Sequence, residues 1–291
     1  MVVALPSGVA GRLVQALGTW LRVAQWGRGR DLLLIHGSPG TIEDWHPIRD
    51  RLAASYRLTV LDRPGHGWSE GRRHVSVADN AAVAIALCDV LGLEEVTVVG
   101  HSYGGAVAVA MALERPRRVH AYVSVGGALL HGHGQTIDPS FRALALPVLG
   151  PGLARLAAPL LGRREVERGA RRAFKPNLDA MPPGFLERAR SIWAAPRVAV
   201  TTARERVGLG PEQERSLVAR YPEISRRLVL VHGTEDRMVP VQQSIDVARM
   251  VPGAELHLLE GAGHYLQYAR PDALAALIEA AAIPKSAVPQ A

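Results

Sequence analysis

The sequence has a single cysteine, Cys88, in 291 residues, so no disulfide framework can form within the chain. Cys88 lies in "AAVAIALCDVLGL", a helical pattern with no neighbouring thiol, and reads as a small buried residue. No stretch approaches the roughly 18 uninterrupted apolar residues that a membrane-spanning helix needs. The N-terminus "MVVALPSGVAGRLVQAL" has no basic region ahead of its apolar residues, as a secretory leader would. The expected location is therefore cytoplasmic, with no membrane span. Basic clusters are scarce too. The net charge is +7, but the arginines that produce it are spread among Asp and Glu, which argues against nucleic-acid binding. Internal repeats and low-complexity segments are absent.

What the chain does have is apolar mass. With 48% hydrophobic residues it can bury a large core, as one enlarged domain or as a domain carrying a sizeable insertion. Short β-type runs alternate with longer helical patterns. "TWLRVAQWG" and "DLLLIHG" read as adjacent strands joined by a turn around Gly27 to Arg30, and "YRLTVLD" follows the helical "IEDWHPIRDRLAASY". Helix "SVADNAAVAIALCDVLG", strand "VTVVGHS", helix "GAVAVAMALERP" and strand "VHAYVSVGG" come next. Such alternation implies crossover units, a mostly parallel, doubly wound sheet and an α/β fold.

From about Ala128 to Arg226 the alternation stops. Proline breaks and helical patterns such as "RREVERGARRAF" and "FLERARSIWAA" replace it, so residues 128–226 read as a helical cap inserted into a core of residues 1–127 and 227–291. The sheet pattern resumes with "RLVLVHG" and "AELHLLEG", each followed by a helical run. Beyond Ile283, "PKSAVPQA" reads as a frayed tail.

Within this frame, "VTVVGHSYGGAVAVAMALERP" is the informative stretch. A β-rich run ends in Gly-x-Ser-x-Gly and a helix follows at once, which is the pattern of a nucleophile elbow centred on Ser102. Gly100 and Gly104 carry no side chains to collide where strand and helix approach. The bland alternative is a serine that merely caps the helix.

A serine hydroxyl needs a base, and the base needs a group to orient it. Downstream, Asp236 in "VHGTEDRMVP" and His264 in "LLEGAGHYLQ" each stand just past a strand pattern, in the order Ser, Asp, His. Glu235 ranks second as the acid. Taken singly, Asp236 would also suit a turn or helix cap and His264 an ordinary loop position.

With "HGSPG" (His36 to Gly40), "DRPGHGWS" (Asp62 to Ser69), "GHSYGG", "HGTEDRMVP" and "GAGH" in place, the chain resembles the α/β-hydrolase fold superfamily, in its serine-nucleophile form with a helical cap. The likeness spans Thr19 to Ala282. It implies an oxyanion hole built from the backbone N–H groups of Ser38 and Tyr103, since Pro39 has no N–H. His36 and His66 read as architectural. The superfamily's epoxide hydrolases and dehalogenases place an aspartate where this chain has Ser102, and its C–C bond hydrolases usually place Trp where Tyr265 stands. Many relatives also carry Glu at the position of Ala269.

The resemblance implies acyl transfer on a small-molecule substrate, with no metal or organic cofactor. The leading expectation is hydrolysis of a carboxylic ester or lactone that is small to medium and partly apolar. C–C or amide hydrolysis by the same three residues stays open, as does a ligand receptor on the same fold. The histidine pair in "HGHG", His131 to Gly134, has no carboxylate or cysteine companion and does not make a metal set. Apolar residues of the insertion, among them Leu146, Phe174, Phe185 and Trp193, are candidates for a pocket lining or for core. The arginines Arg163, Arg164, Arg171 and Arg172 suit a solvated helix face better than an anion site. Self-association into a homo-oligomer also stays open.

Overall fold

The computed structural model describes residues 2–3, 5, 7–93, 95–114, 119–130, 138–157 and 162–283. The His131 to Gly134 stretch and the tail beyond Ile283 lie outside these residues. Among the described residues nine strands form one sheet: β1 (Val2–Val3), β2 (Arg12–Ala16), β3 (Thr19–Trp26), β4 (Arg30–Ile35), β5 (Tyr56–Leu61), β6 (Val96–His101), β7 (Val119–Val125), β8 (Arg227–Gly233) and β9 (Glu255–Leu259). Their spatial order is β1-β2-β3-β5-β4-β6-β7-β8-β9. Everything from β5 to β9 is parallel, and the first three strands join antiparallel.

Helices α1 (His46–Ala53), α2 (Val77–Leu91), α3 (Tyr103–Glu114), α10 (Gln242–Met250), α11 (Leu266–Ala269) and α12 (Pro271–Ala282) connect or follow these strands. The strands alternate with period two between two cores. Leu33, Ile35, Val98 and Leu230 face the layer built by α2, α3 and α10, while Leu32, Leu34, Val99 and Val231 face α1 and α12. Both faces are covered, which is why the central strands read as continuous apolar runs. The sheet is therefore mostly parallel and doubly wound, as the alternation of patterns implies.

One expectation is corrected. β3 and β4 are not neighbours, because β5 lies between them, antiparallel to β3 and parallel to β4. The turn at Gly27 to Arg30 separates two strands without pairing them. Gly27 and Gly29 sit there at positive φ, pressed on the carbonyls of Ala53, Ser55 and Tyr56, where a Cβ would collide. β2 is a second difference. Its residues, "RLVQA", are a short strand between β1 and β3 that the sequence pattern did not mark.

Between β7 and β8 the described residues contain only helices: α4 (Pro139–Ala145), α5 (Leu149–Ala157), α6 (Arg163–Phe174), α7 (Phe185–Trp193), α8 (Pro196–Gly208) and α9 (Pro211–Val218), with short 3-10 turns. Phe174, Phe185 and Trp193 from this segment are 2%, 1% and 8% exposed and pack with Tyr265 and Tyr268 of the main body. They form core, whereas Leu146, 45% exposed, faces solvent. No helix among the described residues is long and apolar enough to cross a membrane.

Candidate active site

β6 ends at His101 and α3 begins at Tyr103, leaving Ser102 alone to reverse the chain. It does so at φ +54°, the left-handed region that costs a residue with a Cβ on the order of 1–3 kcal/mol. Three backbone hydrogen bonds hold it there. Ser102 N–H donates to Val125 O at 2.9 Å, and Ser102 O accepts from Gly105 N at 2.9 Å and Ala128 N at 3.0 Å. The flanking glycines make the approach possible: a Cβ on Gly100 would strike the Gly104 carbonyl, and one on Gly104 would strike the Ile35 carbonyl.

Asp236 and His264 occupy the turns after β8 and β9. His264 Nδ1 lies 2.7 Å from Asp236 Oδ2, and the two side chains are 6% and 0% exposed. The other carboxylate oxygen, Oδ1, accepts from the backbone N–H of Met238 (2.7 Å) and Val239 (2.9 Å). His232 Nε2 lies 3.2 Å from Oδ2 and 3.1 Å from Val239 O. Both of those neighbours are acceptors, so this network assigns the proton to Nε2, leaving Nδ1 to accept from Ser244 Oγ at 2.7 Å. Burial works against ionising Asp236, but His264, His232 and the hydrogen bonds outweigh it and hold the carboxyl well below its usual range.

The turn after β4 closes the group. A Cβ on Gly37 would lie 3.0 Å from Ser102 Cβ and 3.1 Å from His101 Nδ1, so the loop carrying Ser38 runs directly against the elbow. A Cβ on Gly126, at the end of β7, would lie 3.3 Å from Asp236 Oδ2 and 3.4 Å from His264 Nδ1. His101 Nε2 donates to His264 O at 3.0 Å, and the two rings are 4.7 Å apart between centroids. Burial, with His264 beside it, pushes the His101 pKa down to about 3 and keeps the ring neutral. Ser102, Ser38, Tyr103, Asp236 and His264 thus converge at one sheet edge. Glu235 is exposed, and the carboxylate on His264 Nδ1 is that of Asp236.

The matched residues "DRPGHGWS" serve as architecture. Asp62, fully buried, receives N–H groups from Ile42 (2.8 Å) and Trp68 (2.9 Å) and pairs with Arg22 at 3.2 Å. His36 Nε2 accepts from Arg63 N at 2.9 Å. Tyr265 stacks on His101 with centroids 5.4 Å apart and carries Phe174 at 4.8 Å, so the residue after His264 joins the aromatic core. No group of three or more His, Cys, Asp or Glu side chains among the described residues could hold a metal ion. His232 and His101 went unmarked in the sequence, although His232 stands four residues before Asp236 in the motif that carries it.

The match to the family described as "Alpha/beta hydrolase family" covers residues 32–277. The chain belongs to this family. The hydrolase is 30% identical to the magnesium-chelatase 30 kDa subunit of Rhodobacter capsulatus over 286 residues, covering 94% of this chain and 93% of the relative. It is 28% identical to a 2-hydroxymuconate semialdehyde hydrolase of Pseudomonas sp. (strain CF600) over 276 residues, with 92% of each chain covered. Among solved structures, the enol-lactonase from Burkholderia xenovorans LB400 superposes with a TM-score of 0.77 at 19% identity, covering 92% of the hydrolase and 98% of the lactonase, a likeness of fold.

Proposed function

We propose that the protein is a serine hydrolase that cleaves a carboxylic ester or lactone of a small to medium, partly apolar substrate, with Ser102 as nucleophile, His264 as base and Asp236 as the orienting acid. The observation that carries this reading is the 2.7 Å contact from His264 Nδ1 to a buried Asp236 carboxylate, on the same sheet edge as a serine held at φ +54°. With Nδ1 donating to Asp236, His264 keeps Nε2 as an acceptor. Nε2 takes the Ser102 proton as Oγ attacks the carbonyl carbon, and Asp236 stabilises the imidazolium. The backbone N–H groups of Ser38 and Tyr103 receive the oxyanion. Collapse expels the alkoxide, which takes its proton from His264, and leaves an acyl-Ser102. Water, deprotonated by His264, then releases the acid. In this reading residues 128–226 form the cap that roofs the site and residues 1–127 and 227–291 form the core.

The test is labelling with a fluorophosphonate, located by peptide mass spectrometry, together with turnover of p-nitrophenyl esters of graded chain length. Labelling at Ser102, with turnover abolished in Ser102→Ala and His264→Ala, is expected. A wild-type protein that neither labels nor turns over overturns the reading.

Cleavage of a C–C bond by the same residues is the second reading. It is favoured by relatives named 2-hydroxymuconate semialdehyde hydrolase and 2-hydroxy-6-oxo-2,4-heptadienoate hydrolase, at 28% to 25% identity. Turnover of a vinylogous 1,5-diketone in preference to the esters would select it.

A further inference from the structure

Arg63, in the loop after β5, is 1% exposed, and its guanidinium joins both sides of the proposed oxyanion site. Nε donates to His36 O at 3.0 Å and Nη2 to Gly37 O at 2.8 Å, the carbonyls of the two residues before Ser38. Its Cζ also lies 4.6 Å from the ring centroid of Tyr103, whose hydroxyl donates to Val75 O at 2.9 Å. The charge that balances Arg63 comes from outside the main body, from Glu205 in α8. Glu205 Oε2 accepts from Arg63 Nη2 at 3.1 Å and lies 3.0 Å from His66 Nε2, and Oε1 pairs with Arg63 Nη1. Asn80 Oδ1 takes a further contact from Nη1 at 3.3 Å. Glu205 is 0% exposed, and it is the one carboxylate of the inter-strand helices that is buried among the described residues.

A buried guanidinium whose carboxylate is removed is left as an uncompensated charge, and it relaxes toward whatever acceptors remain. For Arg63 those acceptors are Asn80 Oδ1 and the His36 and Gly37 carbonyls, and the two carbonyls shape the turn bearing Ser38. Displacements near 1 Å in a reacting geometry cost on the order of 100-fold in rate.

We infer that Glu205 is a positioning residue: by seating on Arg63 it makes docking of α8 the condition under which the Ser38 and Tyr103 amides are aligned for an oxyanion. The helical segment thus completes the site as well as covering it. This rests on the proposed serine-hydrolase reading. Nothing in the relatives' names bears on it.

Glu205→Gln keeps the shape and one acceptor oxygen while removing the charge. On p-nitrophenyl butyrate it is expected to lower kcat about 10- to 100-fold with KM within about threefold, and to weaken a tetrahedral-adduct inhibitor such as butylboronic acid by a matching factor. A purely structural role would instead lower the fraction of folded protein, leaving kcat per labelled active site unchanged. Arg63→Lys, measured in parallel, covers the case in which Glu205→Gln does not fold, and the same kcat loss is expected of it. If both fold, the double variant is expected to be no slower than the slower single variant, because the two residues act as one unit. An unchanged kcat per site in either single variant, or additive losses in the double, overturns the inference. Wild-type labelling at Ser102 keeps the serine-hydrolase reading standing in that event, and its absence would fail that reading instead.

Discussion

At the scale of single residues, the candidate site is held by over-determination. Asp236 is the clearest case, because each of its oxygens is already assigned. Oδ1 accepts two backbone N–H groups and Oδ2 faces His264 Nδ1 and His232 Nε2. In Asp236→Asn the carbonyl oxygen must stay on the two backbone donors, so the amide nitrogen falls where Oδ2 was. It then donates to His264 Nδ1 and forces the proton onto Nε2, the atom that accepts from Ser102 in the proposed mechanism. The expected outcome is a kcat lower by about three to four powers of ten with KM little changed, read by steady-state ester hydrolysis. A loss below tenfold would mean that His264 is oriented by something else. Ser102, Asp236 and His264 were legible in the sequence because each stands just past a run that reads as a strand, in the order Ser, Asp, His. His232 was not, since a histidine inside a strand carries no signal of where its ring points.

At the scale of elements, the contact of β6 with α3 and β4 decides whether the elbow forms. Gly104 lies on the carbonyls of Ile35 and His36, backbone that cannot retreat without breaking β4 from β6. Gly104→Ala is expected to cost more than about 4 kcal/mol and to yield little soluble protein. Gly169, exposed in the middle of α6 with nothing within 4 Å of a Cβ, is the contrast. There, alanine is expected to add about 0.5–1 kcal/mol by helix propensity and reduced chain entropy, seen as a rise in Tm. The existence of most elements was readable from period and glycine placement. Their order was less so: β5 inserts between β3 and β4 because parallel pairing is set by a crossover through α1, which leaves no mark in the strands themselves. The clasp between Glu205 and Arg63 is hidden for the same reason, two ordinary charged residues 142 positions apart.

At the scale of the whole molecule, buried ionisable groups set the pH range in which the fold is most stable. Burial lowers the pKa of His36, His66 and His101, so these rings are neutral in the fold. The unfolded chain binds protons on them below about pH 6.5, and the stability they contribute is lost as pH falls through that value. Asp44 and Asp62 act in the opposite direction. Burial pushes them up to about 7 and about 6, so between pH 4 and those values the fold binds protons that the unfolded chain does not, and stability falls as pH rises. Between about pH 6.5 and the alkaline range where the buried tyrosines begin to matter, Asp44 is the shifted group whose contribution still changes, which puts the maximum near pH 6.5. Asp44 isolates the effect, since it is 2% exposed, accepts from Thr41 N at 3.1 Å and forms no salt bridge among the described residues. Asp44→Asn keeps an acceptor for Thr41 and cannot ionise. Its stability relative to wild type is expected to improve by about 2 kcal/mol between pH 5 and pH 8, with most of the gain below pH 7, measured by urea unfolding at each pH. A difference that stays constant across that range would mean that the buried carboxyl is ionised throughout and compensated by a cation such as Arg188, whose charge acts to lower the Asp44 value.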